Sequence, residues 1–193
     1  MGRFLPLMAA AWLLLCAVSI AHTESGAPVI PDVEVLDQEG VPHRFYTELI
    51  QGRTVAINFL YASCKTSCPA ANGLFSAVQH QLRADPGRPV TLLSLTVDPL
   101  HDRPAQLKAL AEKFGAGPKW MFLTGSRQDM TRLLSSLGVA MSNKVDHPAV
   151  ILVGNDAAGA WTRLYGQVSV PMVTEALSTI AAVPESPIAP PRP

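Results

Sequence analysis

Residues 55–69 read VAINFLYASCKTSCP, with two cysteines shortly after an apolar run. The run, Val55–Tyr61, is rich in β-branched and aromatic residues and is too short for an isolated helix, so it predicts a buried strand. Pro69 follows the second cysteine. Proline lacks a backbone N–H, and it suits the first position of a helix because an N–H at that position would have no partner within the helix. Apolar residues then recur at helical spacing across residues 70–83. We therefore predict a strand, a loop that carries both cysteines, and a helix.

The two cysteines, Cys64 and Cys68, lie where the loop meets the predicted helix, with Lys65 between them. The positive end of a helix dipole and a neighbouring ammonium group both stabilise a thiolate. Thiolates are the nucleophiles of disulfide exchange and are also soft metal ligands. Residues four apart in a helical turn have Cα atoms about 6 Å apart, which a disulfide can bridge. The pair can therefore be reduced, oxidised or metal-bound; the alternative is two core cysteines or an inert structural disulfide.

The overall composition limits the classes of partner. The 193 residues carry 15 basic and 15 acidic side chains, so the formal net charge is zero, and no block of like charges occurs. Nothing in this pattern favours nucleic acid or anionic lipid. The length predicts one domain with appendages. We expect a linker at residues 22–31, the folded domain at 32–183 and a proline-rich, disordered tail at 184–193.

The first 21 residues have the pattern of a secretory signal peptide. Arg3 supplies a positive charge, and the apolar run Leu7–Ala21 is interrupted only by Ser19. This run is shorter than the roughly 18 to 20 residues expected of a membrane-spanning helix. Small residues at the end of the run fit cleavage before His22. The alternative is an uncleaved membrane anchor, which would be the protein's contact with the membrane.

The leader also contains the third cysteine of the chain, Cys16. Leu15 precedes it, whereas a lipoprotein signal wants a small residue there, so we do not expect a lipid anchor. Once the leader is removed, Cys64 and Cys68 remain. Two nearby cysteines do not make a disulfide scaffold, so we interpret them as a working, redox-active pair. The expected location is the periplasm, either in solution or anchored to the inner membrane.

The rest of the chain alternates strands with helices, which predicts an α/β fold with a central mixed sheet flanked by helices. An N-terminal β-hairpin precedes this alternation. The other predicted elements are, in chain order, hairpin strands at Val33–Leu36 and His43–Phe45, a helical turn at Thr47–Gln51, a strand at Val90–Val97, a helix at Pro104–Phe114, a strand at Trp120–Leu123, a helix at Arg127–Leu137, strands at Ala149–Val153 and Ala160–Leu164, and a helix at Pro171–Ala182.

Candidate functional residues gather at the carboxyl ends of the predicted parallel strands, where such sheets carry their active loops. Cys64, Asp98 and the loop after Leu123 leave their strands at that end. His147 and Pro148 instead precede a strand. They reach the same end of the sheet only if that strand runs antiparallel to the others.

Four motifs follow one another in the chain: the cysteine loop NFLYASCKTSCP at 58–69, an Asp-Pro-x-x-Asp-x-Pro segment at 98–104, AEKFGAGPKWMFLTG at 111–125, and Asp-His at 146–147. In this order they resemble the motifs of the SCO/SenC family, and the resemblance extends over residues 32–182. The family comprises membrane-tethered or exported thioredoxin-fold proteins that bind copper. They help to mature the dinuclear copper site of cytochrome c oxidase by passing copper, by reducing the target cysteines, or both.

The resemblance implies a thioredoxin-like fold, copper as the bound metal, and a metal site made of Cys64, Cys68 and His147. The implied partner is the copper-A-containing subunit of cytochrome c oxidase or another exported cuproprotein. A thiol reductant or an upstream copper donor would be a further partner, which acts on this protein before it meets the cuproprotein. The chain departs from the family in three features: Lys65 stands where many members have proline, Pro148 directly follows the histidine, and the leader has the pattern of a cleavable signal where many members keep a membrane helix.

The implied ligand set is chemically coherent. Two thiolates and one imidazole form a three-coordinate set that suits Cu(I), whereas zinc would prefer a fourth ligand. A further donor would allow the set to hold Cu(II). His101 is the fallback for the third ligand, and Asp146 is a candidate to orient the imidazole of His147.

Two aspartates follow the predicted strand Val90–Val97, and the sequence allows more than one role for them. Asp98 either accepts protons or hydrogen bonds from the metal-binding groups or simply forms an Asp-Pro turn. Asp102 and Arg103 are interpreted as a helix cap and a surface pair. Pro148 is a candidate for a cis peptide bond beside the cysteines, against a trans bond that closes a loop.

The main alternative function is a thiol-disulfide oxidoreductase that acts on exported proteins without delivering copper. The same two cysteines would serve it. Such enzymes usually separate their cysteines by two residues, so the three intervening residues and the histidine favour a metal site. A thiol peroxidase and a structural module are weaker alternatives.

Overall fold

The computed structural model describes residues 28–83, 90–139 and 150–183 of the chain. The strands and helices of these ranges follow the predicted order, with bounds that differ by a few residues. They are β1 (Glu34–Leu36), β2 (Pro42–Arg44), a π-helix (Phe45–Ile50), β3 (Thr54–Leu60), α1 (Cys68–Arg83), β4 (Val90–Thr96), α2 (Pro104–Lys113), β5 (Trp120–Leu123), α3 (Arg127–Ser136), β6 (Val150–Asn155), β7 (Ala160–Tyr165) and α4 (Val170–Ala181).

The central sheet has five strands in the order β5-β4-β3-β6-β7. Strand β3 pairs in parallel with β4, and β4 in parallel with β5, whereas β6 runs antiparallel to both β3 and β7. All seven residues of β3 are buried, as a strand covered on both faces requires. The predicted α/β fold with a mixed central sheet is therefore confirmed.

The N-terminal hairpin is also confirmed, with β1 and β2 paired antiparallel. It is attached to the main sheet by a bridge between Leu36 and Thr124. The predicted helical turn that follows is a π-helix. The carboxylate of Asp32 accepts hydrogen bonds from the backbone N–H groups of Tyr46 (3.0 Å) and Thr47 (3.1 Å) at its start.

Apolar side chains form one core on each face of the sheet, because successive strand residues point to opposite faces. Ile57 and Phe59 of β3 lie in the core that also contains the hairpin, the π-helix and α3. Ala56 and Leu60 lie in the other core, with α1, α2 and α4. The sheet is thereby held between two layers, and its strand ends remain available for loops.

The start of helix α2 differs from the prediction. Its N-cap residue is Arg103, whose backbone N–H donates to the side chain of Gln106 at 3.1 Å. Asp102 is not a surface residue but is 2% exposed. The predicted Asp102 cap and its surface pair with Arg103 are therefore wrong, because the carboxylate turns inward to other donors.

The antiparallel direction of β6 satisfies the condition for bringing the segment before it to the cysteine end of the sheet. Phe59 at the end of β3, Cys68 and Val150 at the start of β6 all line one cavity of about 330 Å³. His147, Asp146 and Pro148 themselves lie outside the described residues, as do the leader and the C-terminal tail. Within the described ranges, no helix combines the length and apolarity needed to cross a membrane.

Candidate metal centre

The two cysteines lie on opposite sides of the junction between the loop and helix α1. Cys68 is the first residue of the helix and is 3% exposed, whereas Cys64 lies in the loop and is half-buried. Both carry reduced thiols. The Cys64 backbone N–H donates to the carbonyl of Tyr61 at 3.0 Å, which closes a tight turn after β3. The loop thus turns back toward the helix start and brings the thiols together.

The Cys64 sulfur contacts the first residue of helix α1 and a hydroxyl of its own loop. The backbone N–H of Cys68 donates to it at 3.4 Å, and the Thr66 hydroxyl lies 3.8 Å away. Burial opposes ionisation of Cys64, but hydrogen bonds from the Cys68 thiol and from the backbone of Cys68 and Thr66 outweigh it and lower its pKa to about 6. Cys64 is therefore a thiolate at neutral pH.

Cys68 shows the opposite behaviour. Burial and its hydrogen bond to the Cys64 sulfur raise the pKa of the Cys68 thiol to about 12. The pair holds one negative charge and shares one proton at neutral pH, because the second ionisation would place two thiolates in contact. This asymmetry gives a nucleophile at Cys64 and a protonated partner at Cys68.

Tyr61 is a further contact that sequence reasoning missed. A hydrogen bond between its side chain and Cys64, followed by burial, raises the pKa of the Tyr61 phenol. A phenol that remains protonated donates to the sulfur. The available signal was its position three residues before Cys64, since the tight turn brings these two residues together.

Asp98 is 8% exposed and contacts His101, with 2.8 Å between Asp98 Oδ1 and His101 Nδ1. The imidazole side chain is 74% exposed. Among the described residues, no three His, Cys, Asp or Glu side chains form a group that could hold a metal ion. The fallback ligand His101 is thus not brought into such a group with the two thiols. The described part of the chain supplies two sulfur donors, and His147 belongs to the segment outside it.

The buried carboxylate of Asp102 contacts the cysteine loop, which sequence reasoning also missed. Its Oδ2 accepts from the backbone N–H of Ala62 at 2.9 Å and from the hydroxyl of Thr96 at 2.5 Å. The local pattern Asp-Arg-Pro before a helix resembles a cap, and a contact with a residue 40 positions away leaves no local signal.

A cavity with a mainly apolar wall lies beside Cys68. Ser67, Leu74 and Gln167 contribute to its lining, together with the strand residues named above. Chemically, the arrangement provides a thiolate within reach of solvent and an apolar recess next to the second sulfur. Such a pair can exchange with a disulfide or bind a soft metal ion.

Comparisons with known proteins agree with this arrangement. A model of the SCO1/SenC family matches residues 21–181. A Stutzerimonas stutzeri protein described as copper-binding is 33% identical over 110 residues, which are 57% of this chain and 52% of that protein. The chain thus spans about half the length of this curated relative.

Solved structures of Sco proteins share the fold. The structure of yeast Sco1 with copper bound has a TM-score of 0.65 at 21% identity and covers 81% of this chain and 92% of that one. BsSco, described as a member of the Sco family of cytochrome c oxidase assembly proteins with a disulfide switch, has a TM-score of 0.68 at 23% identity, with 82% and 94% covered. The thioredoxin-like fold expected from the motifs is therefore confirmed.

Proposed function

Because this chain belongs to the SCO1/SenC family, we propose that it binds copper outside the cytoplasm and delivers it during maturation of the dinuclear copper site of cytochrome c oxidase. The relatives named above, one described as copper-binding and one solved with copper bound, support copper as the cargo. The signal-like pattern of residues 1–21 supports export. The partner in this proposal is the copper-A-containing subunit of the oxidase or another exported cuproprotein.

The observation that carries the proposal is the pair of adjacent sulfurs, of which Cys64 is ionised at neutral pH. Soft thiolates select Cu(I), and the metal can displace the remaining proton from Cys68 as it binds. Cys64 lies in a half-exposed loop, which suits a site whose ligands must exchange with those of a partner. Cys64, Cys68 and His147 form the proposed ligand set.

We propose His147 as the third ligand for two reasons: the direction of strand β6 and the Asp-His motif at residues 146–147. Strand β6 is antiparallel to β3, so the chain enters it at the end of the sheet where the cysteine loop leaves β3. His147 stands three residues before Val150, the first residue of β6. His101, by contrast, is engaged by Asp98.

Reduction of target cysteines is a second candidate function, favoured by the asymmetry of the two thiols. The Cys64 thiolate would attack a target disulfide, forming a mixed disulfide and releasing one target thiolate. Cys68 would then lose its proton and displace the second target sulfur, leaving a Cys64–Cys68 disulfide. The two target cysteines gain the two electrons that the pair loses.

The proposal is tested by Cu(I) titration of the reduced protein, with His147→Ala and His101→Ala as a matched pair of variants. We expect one-to-one binding that weakens about tenfold or more in His147→Ala and is unchanged in His101→Ala. Weakening in His101→Ala alone would move the third ligand to that residue. Binding no tighter than about micromolar would overturn copper delivery and leave the reductase.

A further inference from the structure

Asp102 is a buried carboxylate whose position is not explained by the helix that follows it. The residue is 2% exposed. Helix α2 is already capped by Arg103, whose N–H is satisfied by Gln106. A carboxylate is costly to bury unless hydrogen bonds replace its hydration. The contacts that stabilise Asp102 in the interior therefore show where it acts.

Those contacts join two loops that are distant in sequence. Ala62, two residues before Cys64, donates its backbone N–H to Asp102 Oδ2 at 2.9 Å. Thr96, which is 0% exposed at the end of β4, donates its hydroxyl to the same oxygen at 2.5 Å. One oxygen atom thus links the cysteine loop to the end of the neighbouring strand.

The N–H held by Asp102 lies inside the turn that presents the first cysteine. The turn is closed by the hydrogen bond from the Cys64 N–H to the Tyr61 carbonyl, and Ala62 is its second residue. A peptide group fixed within a turn limits the directions that the following residues can take. The orientation of the Cys64 sulfur toward Cys68 therefore depends on this peptide.

We propose that Asp102 is a positioning residue for the thiol pair: by accepting the Ala62 N–H, its carboxylate holds the loop in the shape that presents Cys64 to Cys68. The inference rests on the proposed function in that it treats the pair as a working site. Without this acceptor, the loop takes other shapes, Cys64 lies beside Cys68 for less of the time, and the balance between dithiol and disulfide shifts toward the dithiol.

The test measures that balance in the whole protein without copper. In glutathione buffers, the dithiol reacts with one oxidised glutathione to give the Cys64–Cys68 disulfide and two reduced glutathiones. Asp102→Ala is compared with the unaltered protein. Gln106→Ala is the matched control, because it removes a hydrogen bond at the start of the same helix that goes to the backbone N–H of Arg103 and not to the cysteine loop. Asp102→Asn retains one acceptor oxygen for the Ala62 N–H.

We expect Asp102→Ala to shift the equilibrium constant toward the dithiol by about threefold to tenfold, the scale of a weakened charge-assisted hydrogen bond. Asp102→Asn should shift it less, and Gln106→Ala should leave it unchanged. An unchanged constant in folded Asp102→Ala, a shift toward the disulfide, or an equal shift in Gln106→Ala would each overturn the inference.

If Asp102→Ala does not fold, hydrogen exchange at the Ala62 amide of the unaltered protein tests the contact with Asp102. In the unaltered reduced protein, the Ala62 amide should exchange its hydrogen about a hundredfold or more slowly than an unstructured amide. Exchange at the unstructured rate would contradict the contact. Because neither measurement uses metal, a protein that binds no copper but shows the shift would refute copper delivery and leave the role of Asp102 intact.

Discussion

The backbone N–H of Cys68 points at the Sγ of Cys64 across 3.4 Å. The first residue of helix α1 thus stabilises negative charge on the cysteine that precedes the helix. The same two residues also share a proton between their sulfurs, which lowers one pKa and raises the other. Several measurable properties depend on this contact.

The first prediction concerns the pH dependence of alkylation. Because the pKa of Cys64 is lowered to about 6, its reaction with iodoacetamide should increase as the pH rises through that value and level off above it. Cys68 should react far more slowly at neutral pH, since its pKa is raised to about 12. Rates at the two sites are read by mass spectrometry of peptides from protein quenched at each pH.

The variant Cys68→Ala separates two causes of the lowered pKa of Cys64, the hydrogen bond from the Cys68 thiol and the one from the Cys68 backbone N–H. It removes the thiol donor but keeps the backbone N–H, so the midpoint for Cys64 should rise while remaining below that of an ordinary cysteine, about 8.5. A midpoint that stays near 6 would show that the thiol contact contributes little.

A second prediction concerns Tyr61. Tyr61→Phe removes the phenol that hydrogen-bonds to Cys64 but keeps an aromatic ring in the same core. The pKa of Cys64 should rise by up to about one unit, because the thiolate loses a donor. Alkylation profiles provide the measurement. Tyr165→Phe, at a strongly exposed tyrosine of β7, is the matched control and should leave the profile unchanged.

A third prediction concerns copper and the same thiol. If Cu(I) binds through both sulfurs, one equivalent should slow the alkylation of Cys64 about tenfold or more, because a ligated thiolate is no longer an available nucleophile. Removal of the metal with a chelator should restore the original rate. Unchanged alkylation in the loaded protein would argue against Cys64 as a ligand.

A fourth prediction uses a pair of glycines to test the packing around the sheet. A Cβ at Gly154 would lie 2.2 Å from the ring of Trp161, so Gly154→Ala should lower the free energy of unfolding by about 1 to 3 kcal/mol. Gly73 lies within α1, and a Cβ there would meet nothing within 4 Å. Gly73→Ala should therefore raise the free energy of unfolding by about 0.5 to 1 kcal/mol. Urea denaturation of the two variants should show opposite shifts, and equal shifts would contradict this description of the packing.

The strand, the cysteine loop and the helix could be predicted because their signals are local. The apolar run of β3, the proline after Cys68 and the helical spacing that follows lie within about thirty residues of sequence. The alternation of strands and helices likewise predicted the mixed sheet, and with it the end of the sheet at which the cysteines lie.

Asp102 shows why the rest of the site was not predictable. Its neighbours Arg103 and Pro104 make a plausible helix start, so the local sequence predicts a cap at this residue. Its actual donors, Ala62 and Thr96, come from two other segments. They meet the carboxylate because β3 and β4 pair in a register that places Leu60 beside Thr96.

Local sequence thus determined that two thiols stand at a helix start in an α/β fold, because periodicity and turn residues act between near neighbours. Tertiary structure decided which thiol ionises first and which carboxylate holds their loop. Burial and hydrogen bonds between distant segments set those properties, and both arise when the strands pair and the two cores close.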